Sequence, residues 1–256
     1  MKIAIITGAS SGYGKEFVRQ MDARNYDEFW LIARRAERLQ EMKLEIQTPI
    51  RVLGLDLTDP ESIRYITGLL KTEKPEVKAL VNASGFGHFG DFASSSIDEA
   101  MNMIDLNDKA LVGLCYACIP YMSSGDEIYN IASSSAFQPV PYIGVYAATK
   151  AFVLSFSRSL NQELCTRGIK VLAVCPHWTK TEFFDRAIQD KTVIQYYNFY
   201  NDMKAVVTAA LVNMAKGKDV SLVGFRLKLQ VFMVKHFSTG FVMKTWLKQQ
   251  KKPYLK

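Results

Sequence analysis

The sequence predicts an α/β fold, a doubly wound parallel sheet of about seven strands with helices on both faces. Three observations predict it. Short runs rich in branched and aromatic residues alternate with longer stretches of helical periodicity. A glycine-rich turn, Thr7-Gly8-Ala9-Ser10-Ser11-Gly12-Tyr13-Gly14, separates the first run from the first helical stretch. At 256 residues, 48% hydrophobic and 22% charged, the chain has the size and balance of one soluble catalytic domain.

In chain order, residues 2–7 (Lys-Ile-Ala-Ile-Ile-Thr) form a short buried strand, and residues 15–24 carry the first helical pattern. Further strands fall near 28–33, 50–55, 78–82, 127–131, 169–175 and 220–223. Helices fill the gaps, with long ones near 97–118 and 143–167. Strict alternation of this kind builds a parallel sheet covered on both sides. Ligands in such sheets lie beyond the carboxyl ends of the strands. The sequence holds no internal repeat and no low-complexity segment.

The glycines sit where a strand-to-helix turn must be tight and the backbone must approach a ligand closely. Amide groups opening the following helix then face an anion such as a pyrophosphate, which the helix dipole also favours. The spacing Gly8-x3-Gly12-x-Gly14 differs from the general G-x-G-x-x-G fingerprint, and a purely structural turn is the competing reading.

Tyr146-Ala147-Ala148-Thr149-Lys150 follows Ser133 by thirteen residues. A tyrosine and a lysine at i and i+4 share one helix face. A free phenol, with a pKa of about 10, is a poor acid–base catalyst at neutral pH. An ammonium beside it favours the phenolate; bringing the value to neutrality takes roughly 4 kcal/mol, within reach of a close, partly desolvated cation. A nearby serine hydroxyl would hold a carbonyl or carbinol oxygen. An exposed helical pair is the bland alternative, and the glycine turn argues against it.

On these residues the chain resembles the short-chain dehydrogenase/reductase family over roughly residues 1–224, with a Rossmann-like sheet. Thr7–Gly14 is similar to the family's TGxxxGxG cofactor turn, and Asp56, in Leu55-Asp56-Leu57-Thr58, to the acidic position near the adenine. Asn82-Ala83-Ser84-Gly85 stands where the family has Asn-Asn-Ala-Gly. Asn107 matches the mid-helix asparagine of a proton relay, and Ser133, Tyr146 and Lys150 match the catalytic residues. Pro176 opens the segment corresponding to Pro-Gly-x-x-x-Thr, which places Thr181 at the nicotinamide carboxamide, with Thr179 beside it. The resemblance implies a reversible hydride transfer. Tyr146 donates the proton, Ser133 positions the oxygen, Lys150 lowers the phenol and binds the ribose, and Asn107 holds a relay water. Cofactor contacts are expected from Gly8, Ser10, Ser11, Gly12, Tyr13, Gly14, Asp56, Leu57, Asn82, Ala83, Ser84, Gly85, Tyr146, Lys150, Pro176, Thr179 and Thr181. His177 replaces the family's glycine after Pro176; it is either a supporting histidine or a catalytic part.

Strand two ends Leu31-Ile32-Ala33-Arg34-Arg35. An acid at position 33 would bind the ribose of NAD and repel a 2′-phosphate. Alanine stands there instead, followed by a guanidinium suited to bidentate phosphate binding. NADP(H) is therefore the expected cofactor, with Arg34 on the phosphate and Arg35 assisting or solvated.

The segment after Pro176 is aromatic, and the resemblance makes residues 177–202 a cover over the substrate. That content favours a large apolar substrate, of hydroxysteroid or 3-oxoacyl type, over a sugar or small polar alcohol. Phe86, His88, Phe137, Tyr142, His177, Trp178 and Phe183 are the expected lining. A catalytically silent cofactor-binding scaffold is the alternative, which the intact Asn107, Ser133, Tyr146 and Lys150 argue against.

Residues 225–256 carry eight basic residues and no acid, so they hold +8 of a net +7 and leave −1 for residues 1–224. Interleaved apolar residues make this a basic amphipathic extension of one or two helices, broken near Ser238-Thr239-Gly240. It is expected to pack across a dimer or over the cleft, burying Phe232, Phe237, Phe241 and Trp246; lying on an anionic membrane is the alternative. No nucleic-acid module accompanies the charge. Cys115-x-x-Cys118 lacks a second pair, so the four cysteines are expected to be buried free thiols and no metal is expected. With the first strand starting at once and no long apolar run, a cytoplasmic homodimer or homotetramer is expected.

Overall fold

The computed structural model describes residues 1–188 and 193–254. Among them seven parallel strands form one sheet: β1 (Lys2–Thr7), β2 (Glu28–Ile32), β3 (Ile50–Leu53), β4 (Glu76–Asn82), β5 (Glu127–Ile131), β6 (Lys170–Val174) and β7 (Val220–Ser221). The order is β3-β2-β1-β4-β5-β6-β7. Neighbour order reverses between β1 and β4, and a crevice opens beyond the strand ends at that switch point.

Helices α1 (Gly12–Met21), α2 (Ala36–Glu41), α3 (Pro60–Glu73), α4 (Ile97–Ile104), α5 (Ala110–Cys118), α6 (Gly144–Glu163), α7 (Phe183–Ala187) and α8 (Met203–Ala215) fill the connections. Two helices, α9 (Phe225–His236) and α10 (Thr239–Gln249), follow the last strand. Successive strand residues feed opposite cores. Ile3 and Ile5 pack with Ile66 of α3, Leu111 of α5 and Val153 of α6. Ala4 and Ile6 pack instead with Phe17 of α1, Leu39 of α2 and Val206 of α8. Both faces are covered, which is why β1 reads as a continuous apolar run.

Three boundaries differ from the sequence reading. The stretch 97–118 is not one regular helix, because a single π turn, Asp105–Lys109, lies between α4 and α5. The last strand is two residues long rather than four: only Val220 and Ser221 pair, with Ala173 and Val174 of β6. The break in the tail falls at Phe237, and Ser238 caps α10 by accepting from the Phe241 amide at 3.4 Å. No helix among the described residues is long and apolar enough to cross a membrane.

Candidate active site

A cavity of about 870 Å³ runs across the carboxyl ends of the strands and ends against α9 and α10. Its floor begins at the glycine turn. Gly8 has φ +63° and Gly12 φ +54°, a region open to glycine without strain. A Cβ on Gly8 would lie 2.8 Å from the Ala83 carbonyl oxygen. The Thr7 hydroxyl accepts from the Ala83 and Ser84 amides, each at 3.0 Å, and so clamps the ends of β1 and β4 together. Gly85 is equally constrained, because a Cβ there would meet Asn107 Oδ1 at 2.9 Å and Lys150 Nζ at 3.4 Å. These close approaches leave a backbone-walled trough that a dinucleotide would fit.

Cationic side chains gather at the β2 end of the trough. Arg34 lies 3.9 Å from Asp56 and is mostly exposed. Arg35 Nη2 donates to Ser10 and Ser11 at 3.4 and 3.1 Å, while its Nη1 pairs with Glu182 at 2.8 Å. The guanidinium of Arg186 stacks 3.5 Å from the centre of the Phe86 ring and also lines the cavity. Sequence reasoning missed Arg186, which sits over a hundred residues beyond Arg34 and joins it only through the fold. The Tyr13 hydroxyl shares a 2.6 Å hydrogen bond with Thr179, tying the glycine turn to the segment after β6.

The candidate chemical centre is built by β5, α6 and the π turn. Ser133 follows β5 and accepts from the Ser135 amide at 3.2 Å. Its side chain also hydrogen-bonds Tyr146, near the start of α6. One turn on, Lys150 is buried and donates to the Ile131 carbonyl at 2.8 Å, with Nζ 5.7 Å from the Tyr146 ring centre. Asn107, carried inward by the π turn, is buried: its amide oxygen accepts from Phe86 N at 3.1 Å. Its amide nitrogen donates to the Phe86 carbonyl and Thr149 hydroxyl, each at 3.0 Å.

Burial governs the electrostatics. It pushes the Tyr146 phenol up to about 12, against the opposing Ser133 hydrogen bond. The lysine-driven lowering expected from the Tyr-x-x-x-Lys spacing is absent here, because Lys150 is turned toward Ile131 and is itself brought down to about 8 by burial. The Asp108 carboxylate opposes that lowering of Lys150. Asp108 is in turn pushed up to about 7 by burial, and its Oδ1 has no hydrogen-bond partner.

Several expected residues fall elsewhere. Asn82 is buried behind the trough, donating to Asn130 Oδ1 at 2.9 Å, and Asn130 donates to Ser157 at the same distance. It braces β4 to β5 and α6 and does not line the cavity. Gly14 does not line it either; its role is close packing, since a Cβ would meet the Thr7 carbonyl at 2.8 Å. His88 is drawn outward, 3.1 Å from the Ser95 hydroxyl and 3.0 Å from Glu99. Phe137 packs into the core below the cavity, with Lys235 5.0 Å over its ring. Tyr142, at φ +69°, packs with the cover, with Lys252 over its ring. Cys115, Cys118 and Cys175 are buried, whereas Cys165 is exposed in a short turn after α6. No cluster of metal-binding side chains occurs among the described residues.

His177 is supporting rather than reactive in this arrangement. Its Nδ1 is 2.8 Å from the Ser134 hydroxyl and its Nε2 2.6 Å from Asn198 Oδ1, so both ring nitrogens are engaged. It joins the loop of Ser133 to the cover. That cover is an aromatic cluster: Phe183 lies 5.4 Å from the Tyr146 ring, and Phe89 6.1 Å from Tyr146, Trp178 and Phe183. Trp178 stacks on Trp246 of α10 at 6.5 Å. Trp246 donates to the Pro141 carbonyl at 3.0 Å, and the buried Gln250 accepts from Gln195 N and Tyr196 N at 2.9 and 3.0 Å. The tail therefore packs on the cover beside the cleft. Residues 189–192 of the expected cover and 255–256 of the tail lie outside the described residues.

Comparison with known proteins gives this geometry a context. Residues 2–192 match the family model for short chain dehydrogenase. Sulfoacetaldehyde reductase 2 of Chromohalobacter salexigens is 35% identical over 191 residues, 71% of this chain and 74% of that protein. A short-chain dehydrogenase from Sphingobium yanoikuyae in complex with NADPH superposes with a TM-score of 0.78 at 30% identity, covering 91% of this chain and 92% of that one. The bulky-bulky ketone specific alcohol dehydrogenase of Comamonas testosteroni superposes with a TM-score of 0.73 at 26% identity, covering 92% of each chain.

Proposed function

This chain belongs to the short-chain dehydrogenase family, and we propose that it is an NADP(H)-dependent enzyme interconverting a ketone and a secondary alcohol on a bulky apolar substrate, of hydroxysteroid or 3-oxoacyl type. One observation carries the reading: the Tyr146 hydroxyl, hydrogen-bonded to Ser133 and backed by buried Lys150, opens into the same cavity as the glycine turn. A bound nicotinamide would supply hydride-transfer chemistry at the carbonyl carbon. The glycine turn, Ala83 to Gly85, Asp56, Leu57, Pro176, Thr179 and Thr181 would hold that cofactor. Arg34 and Arg35 are suited to the 2′-phosphate, and NADPH is the ligand of the Sphingobium yanoikuyae structure.

In reduction, Tyr146 donates its proton to the substrate oxygen while Ser133 hydrogen-bonds that oxygen. A phenol pushed up to about 12 carries its proton at neutral pH, as reduction requires, and is a weak acid at that value. The buried Lys150 would bind the nicotinamide ribose, and Asn107 would hold the water that returns the proton. The aromatic cover, with Phe183 and Trp178, excludes bulk water and presents an apolar wall to the substrate. A cytoplasmic location accords with four unpaired thiols, three of them buried. A homodimer or homotetramer accords with Ile97, Met101, Tyr116 and Phe152, left exposed along α4, α5 and α6.

Tyr146→Phe is the direct test. It removes the proton donor and keeps the ring, so NADPH oxidation with a bulky ketone should fall by a factor of about a hundred or more. Cofactor binding, followed by fluorescence, should persist. Near-normal turnover would rule the mechanism out.

A further inference from the structure

Trp246 and Gln250 hold the tail against the cover, but the outward face of the tail stays bare. Phe225, Leu229, Phe232 and Met233 fall on one stripe of α9, while Leu227 and Val231 on another face are buried. Phe225 is 78% exposed, Phe232 58%, Phe237 53% and Phe241 55%, so three of the four aromatics expected to be covered by packing are not. Phe237 and Phe241 touch, with ring centres 5.2 Å apart, and carry the patch from α9 onto α10. Lys228, Lys235, Lys244 and Lys248 stand exposed among these rings, and residues 225–256 contain no acid. Leu229, Met233, Phe237 and Phe241 also line the cavity that reaches Tyr146.

We propose that the outward face of α9 and α10 docks on an anionic lipid bilayer and presents the cavity to apolar substrate dissolved there. Phenylalanines bare on a helix face, flanked by lysines, suit the boundary between acyl chains and headgroups. Apolar patches of this kind mark interaction surfaces. A second copy fits poorly, because an isologous contact would set one +8 tail against another. An acidic protein would answer the charge but leaves the rings without an acyl environment. The docking rests on the tail alone; the substrate's route rests on the proposed function.

Sedimentation of the full chain with vesicles decides it. Phosphatidylcholine vesicles containing phosphatidylserine should carry the protein down at physiological salt, and phosphatidylcholine alone should not. Binding should fade with added salt, and each lysine neutralised among Lys228, Lys244 and Lys248 should weaken it about fivefold. Phe225→Ser with Phe232→Ser should weaken it at least tenfold while turnover of a water-soluble ketone stays unchanged. Failure of the wild type to sediment, or equal binding to neutral vesicles, overturns the proposal. So does an oligomer that dissociates in the Phe225→Ser, Phe232→Ser variant, which would assign the patch to a second copy. Tyr146→Phe should sediment like the wild type, so loss of the catalytic reading leaves this test standing.

Discussion

Lys150 carries a cost to stability through its burial. Its folded value of about 8 lies below the 10.5 of the unfolded chain, so the folded state has the weaker hold on the proton. The sign follows directly. The cost is full below pH 8 and is relieved as pH rises from 8 to 10.5, where the unfolded chain binds the extra proton. The fall from 10.5 to about 8 corresponds to roughly 3 kcal/mol, offset by about 1 kcal/mol for the hydrogen bond to Ile131. Lys150→Met should therefore abolish turnover yet raise the melting temperature at pH 7 by about 4–8 °C; a lowered melting temperature would contradict the assignment. Asp108 moderates this cost, since its carboxylate favours the ammonium. Removing that charge with Asp108→Asn lowers the lysine further, so the alkaline limb of the kcat/KM profile should move to lower pH. An unmoved limb would show that the two groups do not communicate.

At the scale of elements, the candidate catalytic face was legible where its geometry is local. Tyr146 and Lys150 share a face of α6 by helical spacing alone, and the glycine turn must lie between β1 and α1 whatever surrounds it. The π turn was not legible, because the change from α4 to α5 depends on Asn107 reaching Phe86 and Thr149, forty-two residues away. His88, Phe137 and Tyr142 were misplaced for a related reason: aromatic and imidazole side chains next to a motif suit a cavity or a core equally, and only long-range partners such as Glu99, Lys235 and Lys252 decide. The tail was half legible. Its amphipathic pattern announced a packed face, but pattern alone does not say which apolar face remains bare. The packed face is testable through Trp246, which joins α10 to Pro141 and Trp178. Trp246→Ala should loosen the cover, raising KM for a bulky ketone several-fold with a smaller change for a small one. Equal changes for both would place Trp246 in general stability and outside substrate selection.

On the scale of the whole molecule, the cavity joins parts that the sheet alone leaves apart. Ala33 and Arg34 come from the end of β2, Asp56 follows β3, Ala83 follows β4, and Thr179 and Thr181 belong to the segment after β6. A ligand touching all of them ties both halves of the sheet to the cover, and it stabilises the folded state by mass action. At a concentration a hundredfold above its Kd the gain is about 2.7 kcal/mol, which in a chain of this size raises the melting temperature by about 5–11 °C. NADPH should produce that shift, and NADH at equal concentration a smaller one, because Ala33 offers the ribose no acid and the guanidinium pair answers the phosphate. The difference belongs to Arg34 and Arg35, which both line the cavity, one paired with Asp56 and one with Ser11 and Glu182. Replacing both with alanine removes charge-assisted contacts of roughly 1.5–3 kcal/mol each, so the two cofactors should then shift the melt alike. Thermal melts of the wild type and of Arg34→Ala, Arg35→Ala with each cofactor make the comparison. A wild-type shift as large with NADH as with NADPH would overturn the cofactor assignment, while a preference that survives the double substitution would move phosphate recognition to the remaining guanidinium, Arg186.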